Sequence, residues 1–240
     1  MSDPVRIALV AEGPTDKVVI EAAIRCILGE APFILRQLQP EESIAFLDPA
    51  DGTGWGGVYR WCLKAISRSN GAIETDVLFV SYSLLILHLD ADVAAEEYAN
   101  AGINHPVNNL PCSLPCPPAS ASTDRLRAVL LSWIGRDAIP GRTVLCTPSK
   151  STDGWVLCAL YPDDQAVQAG AIECLMQPHN RLQAKPKNGR LVSGGKKRLQ
   201  AYRARAPEMS ASWPNVRGAC SEAARFSQEI EVALRALPPQ

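Results

Sequence analysis

The sequence predicts an α/β fold with a mostly parallel sheet flanked by helices, and three observations predict it. The apolar runs at 5–10 and 84–89 are continuous rather than alternating, the pattern of strands covered on both faces. Segments with helical spacing separate the strand-like runs, and that alternation implies parallel strands joined by crossover helices. The chain has 240 residues, 47% hydrophobic and 20% charged, enough for one well-buried domain and too apolar for wholesale disorder.

The elements follow in order. Residues 5–10 (VRIALV) form the first strand, which Ala11-Glu12-Gly13-Pro14 breaks. Thr15 is placed to cap a helix over 16–28, with Val18, Val19, Ala22, Ala23, Cys26 and Ile27 on one face. A second strand covers 33–38. Residues 39–57 are polar and Gly-rich and read as loop, before a short helix over 58–67. The apolar stretch 77–89 ends in a central strand at 84–89, stopped by Asp90-Ala91-Asp92, and 93–100 reads as helix. Residues 106–122, rich in Pro and Ser, form a loop, and Thr123 or Asp124 caps a helix running to 134. A strand at 142–146 leads into a helix at 151–160, and the last helix spans 221–237. The domain reading is an α/β domain over 1–165, with a basic segment and C-terminal helix over 166–240 packed on the same domain as an α-rich extension.

No basic start with an apolar stretch behind it marks a signal peptide, and no apolar run reaches the length of a membrane span. The expectation is a cytoplasmic protein, away from membranes, with its eight cysteines reduced. The net charge of −1 hides an uneven distribution. Residues 181–207 carry nine basic side chains and no acid, leaving 15 basic and 25 acidic residues elsewhere. Such a run is a solvated face or an anion-binding surface. Ser193-Gly194-Gly195 within it can bring backbone N–H groups close to a phosphate, and Tyr202 offers a ring for a base to stack on.

Carboxylates sit at two strand ends: Glu12 after the first, Asp90 and Asp92 after the central one. Ligands of open parallel sheets bind outside the carboxyl ends of strands, so these three can converge there. Like charges so gathered raise one another's pKa unless a cation neutralises them, and oxygen ligands suit Mg²⁺ or Mn²⁺. The structural alternative is that Glu12 caps a helix and Asp90-Ala91-Asp92 makes a turn.

Glu12-Gly13-Pro14-Thr15-Asp16 after a strand, followed later by Leu89-Asp90-Ala91-Asp92 after another, resembles the paired motifs of TOPRIM domains. The likeness covers roughly residues 6–92 and, more loosely, 142–160. It implies a TOPRIM-like α/β core in which Asp90 and Asp92 hold divalent metal and Glu12 is a ligand or general acid/base. Thr147 to Trp155 resembles a further stretch of small TOPRIM-related bacterial proteins. There a Glu commonly stands where this chain has Asp153, so Asp153 becomes a fourth metal candidate, and Lys150 a phosphate contact. Lys196 and Lys197 fill the position of a later Lys-rich stretch. The resemblance implies an Mg²⁺- or Mn²⁺-dependent nuclease related to the OLD-family nucleases, acting on DNA or RNA, with a role in prokaryotic defence and an ATPase or other protein partner. The alternatives are a non-catalytic TOPRIM-like binding subunit and a phosphoryl-transfer enzyme on small nucleotides.

Other patterns carry less. Gly52-Thr53-Gly54-Trp55-Gly56-Gly57 fits G-x-G-x-x-G, but Asp48-Pro49-Ala50-Asp51 separates it from any strand, so it reads as loop. Cys112 and Cys116 lack partners at zinc-site spacing and read as ordinary loop thiols. His88 reads as a satisfied core histidine, with a proton shuttle as the alternative. His105 and His179 have no nucleophile pattern beside them.

Overall fold

A computed structural model describes residues 3–41, 52–104, 108–187 and 189–237. The segment 48–51 and His105 lie outside the described residues. Four parallel strands form one sheet in the order β2-β1-β3-β4: β1 (Val5–Val10), β2 (Phe33–Gln39), β3 (Leu84–His88) and β4 (Thr143–Cys146). Helices cover both faces. α1 (Pro14–Leu28) returns the chain from β1 to β2, α2 (Gly54–Arg68) and the one-turn α3 (Leu78–Ser81) precede β3, and α4 (Ser120–Trp133) leads to β4.

The alternating direction of strand side chains builds two cores. Ile7, Leu9, Leu84, Ile86, Val144 and Cys146 pack under α1 and the C-terminal helices. Ala8, Val10, Leu85, Leu87 and Leu145 pack under α2 and α4. All five residues of β3 are buried, as the continuous apolar run predicts. At about 2 kcal/mol for each fully buried Leu side chain, this strand anchors both cores.

Because β2 and β3 flank β1 on opposite sides, the chain direction switches between β1 and β3. A crevice opens outside the carboxyl ends of strands at such a switch. Ile7 to Val10 pair in parallel with Leu84 to Leu87, so Glu12 and Asp90 leave the sheet side by side.

Beyond β4 run α5 (Thr152–Leu160), α6 (Gln165–Gln168) and α7 (Pro178–Ala184). A hairpin of β5 (Val192–Ser193) and β6 (Lys196–Lys197) follows, then α8 (Leu199–Ala211), α9 (Trp213–Ala219) and α10 (Ser221–Arg235). This extension is built into the main core: Trp155 meets Trp213 edge-on at 5.4 Å and stacks on Phe226 at 6.1 Å.

Several boundaries differ from expectation, each for a local reason. α1 opens at Pro14, with Gly13 as N-cap and Thr15 buried inside the first turn, because Pro is favoured at the first helical position. α2 begins at Gly54, so the glycine pattern is a helix start rather than loop. A Cβ on Gly56 would stand 2.8 Å from that of Ala101, so this glycine allows close packing. Residues 93–100 form two 3₁₀ turns, Ala91–Ala95 and Tyr98–Ala101, because Glu96 is extended between them. α4 starts at Ser120; Thr123 lies within it and donates to Glu222 Oε1 at 2.9 Å. The expectation of eight reduced thiols is corrected at one pair. Cys116 and Cys174 form a disulfide across a Cα separation of 5.5 Å, because the Pro-rich loop runs beside the turn at Ile172–Cys174. Among the described residues, no helix is long and apolar enough to cross a membrane.

Candidate metal centre at the strand switch

Four segments meet beyond the carboxyl ends of β1 and β3. Glu12 follows β1, and Asp90 and Asp92 follow β3. The first turns of α1 and α5 bring Asp16 and Asp153, both buried. The N-terminus of α5 faces Asp90: the Thr152 N–H donates to Asp90 Oδ1 at 3.1 Å. The Asp90 N–H donates to Glu12 Oε1 at 2.7 Å, which ties the two strand ends together. The loop after β4 runs beside the loop after β3, where Pro148 and Lys150 carbonyls accept the N–H groups of Ala91 and Asp92, each at 3.1 Å.

His88 is the last residue of β3 and has no exposed surface. Strand alternation puts it on the same face as Leu84 and Ile86, toward α1 and α5. Its Nε2 pairs with Asp90 Oδ1 at 3.2 Å, whereas its buried Nδ1 has no partner. His88 is a buried core histidine, as expected, with one nitrogen paired to Asp90 and the other unpartnered. Glu12, His88 and Asp90 each offer one ligand atom within 4.8 Å of the others, a group that could hold a metal ion. Asp92 and Asp153 stand outside that group, and an imidazole enters a set expected to be oxygen alone.

The electrostatics agree with the crowding. Desolvation first, then the charges of Asp90 and Asp16, holds the Glu12 carboxyl well above the usual range. Desolvation and Asp16 raise Asp90 as well. Asp92 is exposed, yet desolvation and the Asp90 charge lift its pKa to about 7. Burial opposes charge on His88, yet Asp90 and Asp16 outweigh burial and raise its pKa.

The second part of the crevice is satisfied from within. The Tyr202 hydroxyl donates to Asp153 Oδ1 at 2.6 Å, and Lys197 Nζ lies 3.1 Å from Asp153 Oδ2 and 4.0 Å from Asp16 Oδ1. The Thr152 hydroxyl donates to Asp16 Oδ1 at 2.7 Å. Tyr202 is fully buried, which corrects the expectation that its ring is open to a base. Lys196 is exposed on the hairpin, and Lys150 is half-buried beside the site with a left-handed backbone, φ +65°.

The structure thus brings Glu12, Asp90, Asp92, Asp153 and Lys197 to one crevice, with Lys150 on the adjoining loop. Sequence reasoning passed over Asp16, although it closes the Glu-Gly-Pro-Thr-Asp string, and passed over Thr152 in the next segment. It weighed His88 without pairing it with Asp90 two residues on, a spacing that puts both on one strand face. Among the described residues, the metal-compatible group contains no cysteine.

No protein-family model, curated protein or solved structure matches the chain.

Proposed function

We propose that the protein is a metal-dependent phosphodiesterase acting on nucleic acid through a TOPRIM-like site, with Mg²⁺ or Mn²⁺ as its cation. The observation that carries this reading is the meeting of Glu12, His88 and Asp90 at the strand switch, two desolvated carboxylates and a buried imidazole with one unpartnered nitrogen. A buried acidic group with raised pKa is costly unless a cation completes it, and strained electrostatics of this kind cluster at functional sites. The Glu12-to-Asp16 and Asp90-to-Asp92 strings support the TOPRIM reading, since both lie at strand ends as the family resemblance requires.

When bound, a divalent cation supplies Lewis acidity toward a phosphoryl oxygen and lowers the pKa of water. The chain's own residues do the rest. Glu12, His88 and Asp90 would hold the ion and fix its place against the sheet. Lys197 offsets carboxylate charge that would otherwise repel a phosphodiester. Lys150 and Lys196, at the loop and hairpin, are placed to meet flanking phosphates as sequence-independent contacts.

The test is a cleavage assay on single- and double-stranded DNA and RNA in Mn²⁺, Mg²⁺ or EDTA, with wild type, Glu12→Gln and Asp90→Asn. Cleavage in metal that EDTA and both substitutions abolish is the expected result. Cleavage at an equal rate in EDTA, or by Asp90→Asn, would remove the assignment. Metal binding without cleavage of any of the four substrates would favour a binding subunit instead.

A further inference from the structure

Resting on that metal reading, we infer that the crevice is built for one divalent cation, held by Glu12, His88 and Asp90, and that the Lys197 ammonium occupies the place of a second ion between Asp16 and Asp153.

Five carboxylates in one crevice invite two cations on charge alone, but their oxygens are not equally free. Both Asp153 oxygens are engaged by the chain, Oδ1 by the Tyr202 hydroxyl and Oδ2 by Lys197. Asp16 Oδ1 takes the Thr152 hydroxyl and sits within ion-pair distance of the same ammonium. An ion bridging Asp16 and Asp153 would bind oxygen at roughly 2.0–2.6 Å and would have to expel Lys197, because two cations cannot share those oxygens. The other half of the crevice is open in the sense that matters for a ligand. His88 is fully buried; its Nε2 pairs with Asp90 Oδ1 at 3.2 Å, and its Nδ1 has no partner. A buried imidazole nitrogen rarely goes without a partner, and a metal ion is the ligand that best suits an imidazole beside two carboxylates.

Lys197 is also held in place rather than draped over the surface. It lies on β6, paired with Val192, which is fully buried. The Arg198 N–H donates to the Leu191 carbonyl at 2.8 Å, just below that pair, and Leu191 is fully buried too. Gly194 and Gly195, both left-handed, turn the hairpin; both lysines of β6 are exposed, and the Lys197 Nζ reaches the acids. α8 begins two residues later and delivers Tyr202 to the same carboxylate. One short stretch therefore places two donors on Asp153.

The experiment counts ions. The full chain is titrated with MnCl₂ by calorimetry, with free Mn²⁺ followed in parallel by paramagnetic resonance. Wild type should bind one ion, and Asp90→Asn should bind at least about 100-fold more weakly. Lys197→Met should bind a second ion, and Lys197→Arg should stay at one. Asp153→Asn should keep one ion with affinity within about threefold of wild type, since it belongs to the lysine half; this variant decides the matter if Lys197→Met does not fold. Two ions on wild type, one ion on folded Lys197→Met, or loss of the ion in Asp153→Asn would each overturn the inference while leaving the metal centre in place. No ion on wild type would overturn the metal reading itself.

Discussion

At the amino ends of the strands, Arg142 donates to the carbonyls of Ser83 at 2.9 Å, Phe79 at 3.1 Å and Tyr82, and its guanidinium lies over the Phe79 ring at 4.5 Å. At the carboxyl ends, His88 Nδ1 has no hydrogen-bond partner, and Glu12, Asp90 and Asp92 all carry raised pKa values. Both ends concentrate polar groups: at the first, Arg142 serves three carbonyls while Thr143 Oγ1 beside it lacks a partner, and at the second, desolvated carboxylates crowd a histidine with an unpartnered nitrogen. Polar residues that serve the fold mostly find partners within the chain; titratable groups crowded together, at a cost in stability, are the ones to assign to a ligand. Substitutions at either end separate the two roles.

The largest effect is expected at Asp90. Asp90→Asn keeps the shape of the side chain and removes one charge from a desolvated cluster. Mn²⁺ binding should weaken by at least about 100-fold, since even residues that only support metal ligands cost ten- to hundredfold. The melting temperature of the chelated protein should rise. A fall in melting temperature would mean that Asp90 is held for structure, and the contrast between the two ends would fail.

Arg142→Ala probes the other end and should behave in the opposite way. It removes donors to three carbonyls and a cation–π contact, so stability should fall by about 1–3 kcal/mol. For a chain of this length that is roughly 2–4 °C in melting temperature per kcal/mol. Mn²⁺ affinity should not change, and calorimetry beside a thermal melt reads both quantities.

The pH dependence follows from the same asymmetry. Glu12, Asp90 and Asp92 have folded-state pKa values above their ordinary ones, and so does His88. Each of these groups binds protons more tightly in the folded chain, so its stabilising contribution is complete at low pH and is lost as pH rises through the folded value. With Asp92 at about 7, the loss should extend to neutral pH. The melting temperature in EDTA should therefore decline between about pH 5 and about pH 8, and saturating Mn²⁺ should flatten or reverse the decline. An equal decline with and without Mn²⁺ would separate the carboxylates from any metal.

The sheet and its acids were legible because their signals are local. The all-buried β3, the strand after Arg142 and the helix after Pro14 each show in composition and spacing alone. Adjacency of Glu12 and Asp90 followed from strand ends plus the rule for open sheets. The role of Lys197 was not legible, because a basic run reads the same whether it is solvated or folded inward. Both lysines of β6 are exposed, and only the register with buried Val192 sets Lys197, rather than Lys196, within reach of Asp153. Tyr202 was misread for the same reason: among arginines it looks like a surface ring, yet α8 packs it into the core against Asp153. The Cys116–Cys174 bridge joins segments 58 residues apart, a distance at which spacing holds no information about pairing.

The smallest effect, and the sharpest use of the comparison, concerns two residues that bracket β4. Arg142 at φ +63° and Lys150 at φ +65° both adopt the left-handed backbone, which costs a residue with a side chain roughly 1–2 kcal/mol. Arg142 recovers that cost through the carbonyls it holds. Lys150 does not. Its carbonyl accepts the Asp92 N–H at 3.1 Å, which any residue can do, and among the described residues its side chain makes no hydrogen bond or ion pair. Glycine would suit the position better, and under the proposed function the lysine side chain would meet a phosphate beside the candidate metal site. Lys150→Gly should raise stability by up to about 1 kcal/mol, the relief being partly offset by greater freedom in the unfolded chain. The same substitution should weaken nucleic-acid binding across sequences and reduce its salt slope by about one. A variant that is more stable and binds like wild type at every salt concentration would take Lys150 out of the interface. One that is less stable would show that its side chain serves the fold after all, and would place it with Arg142.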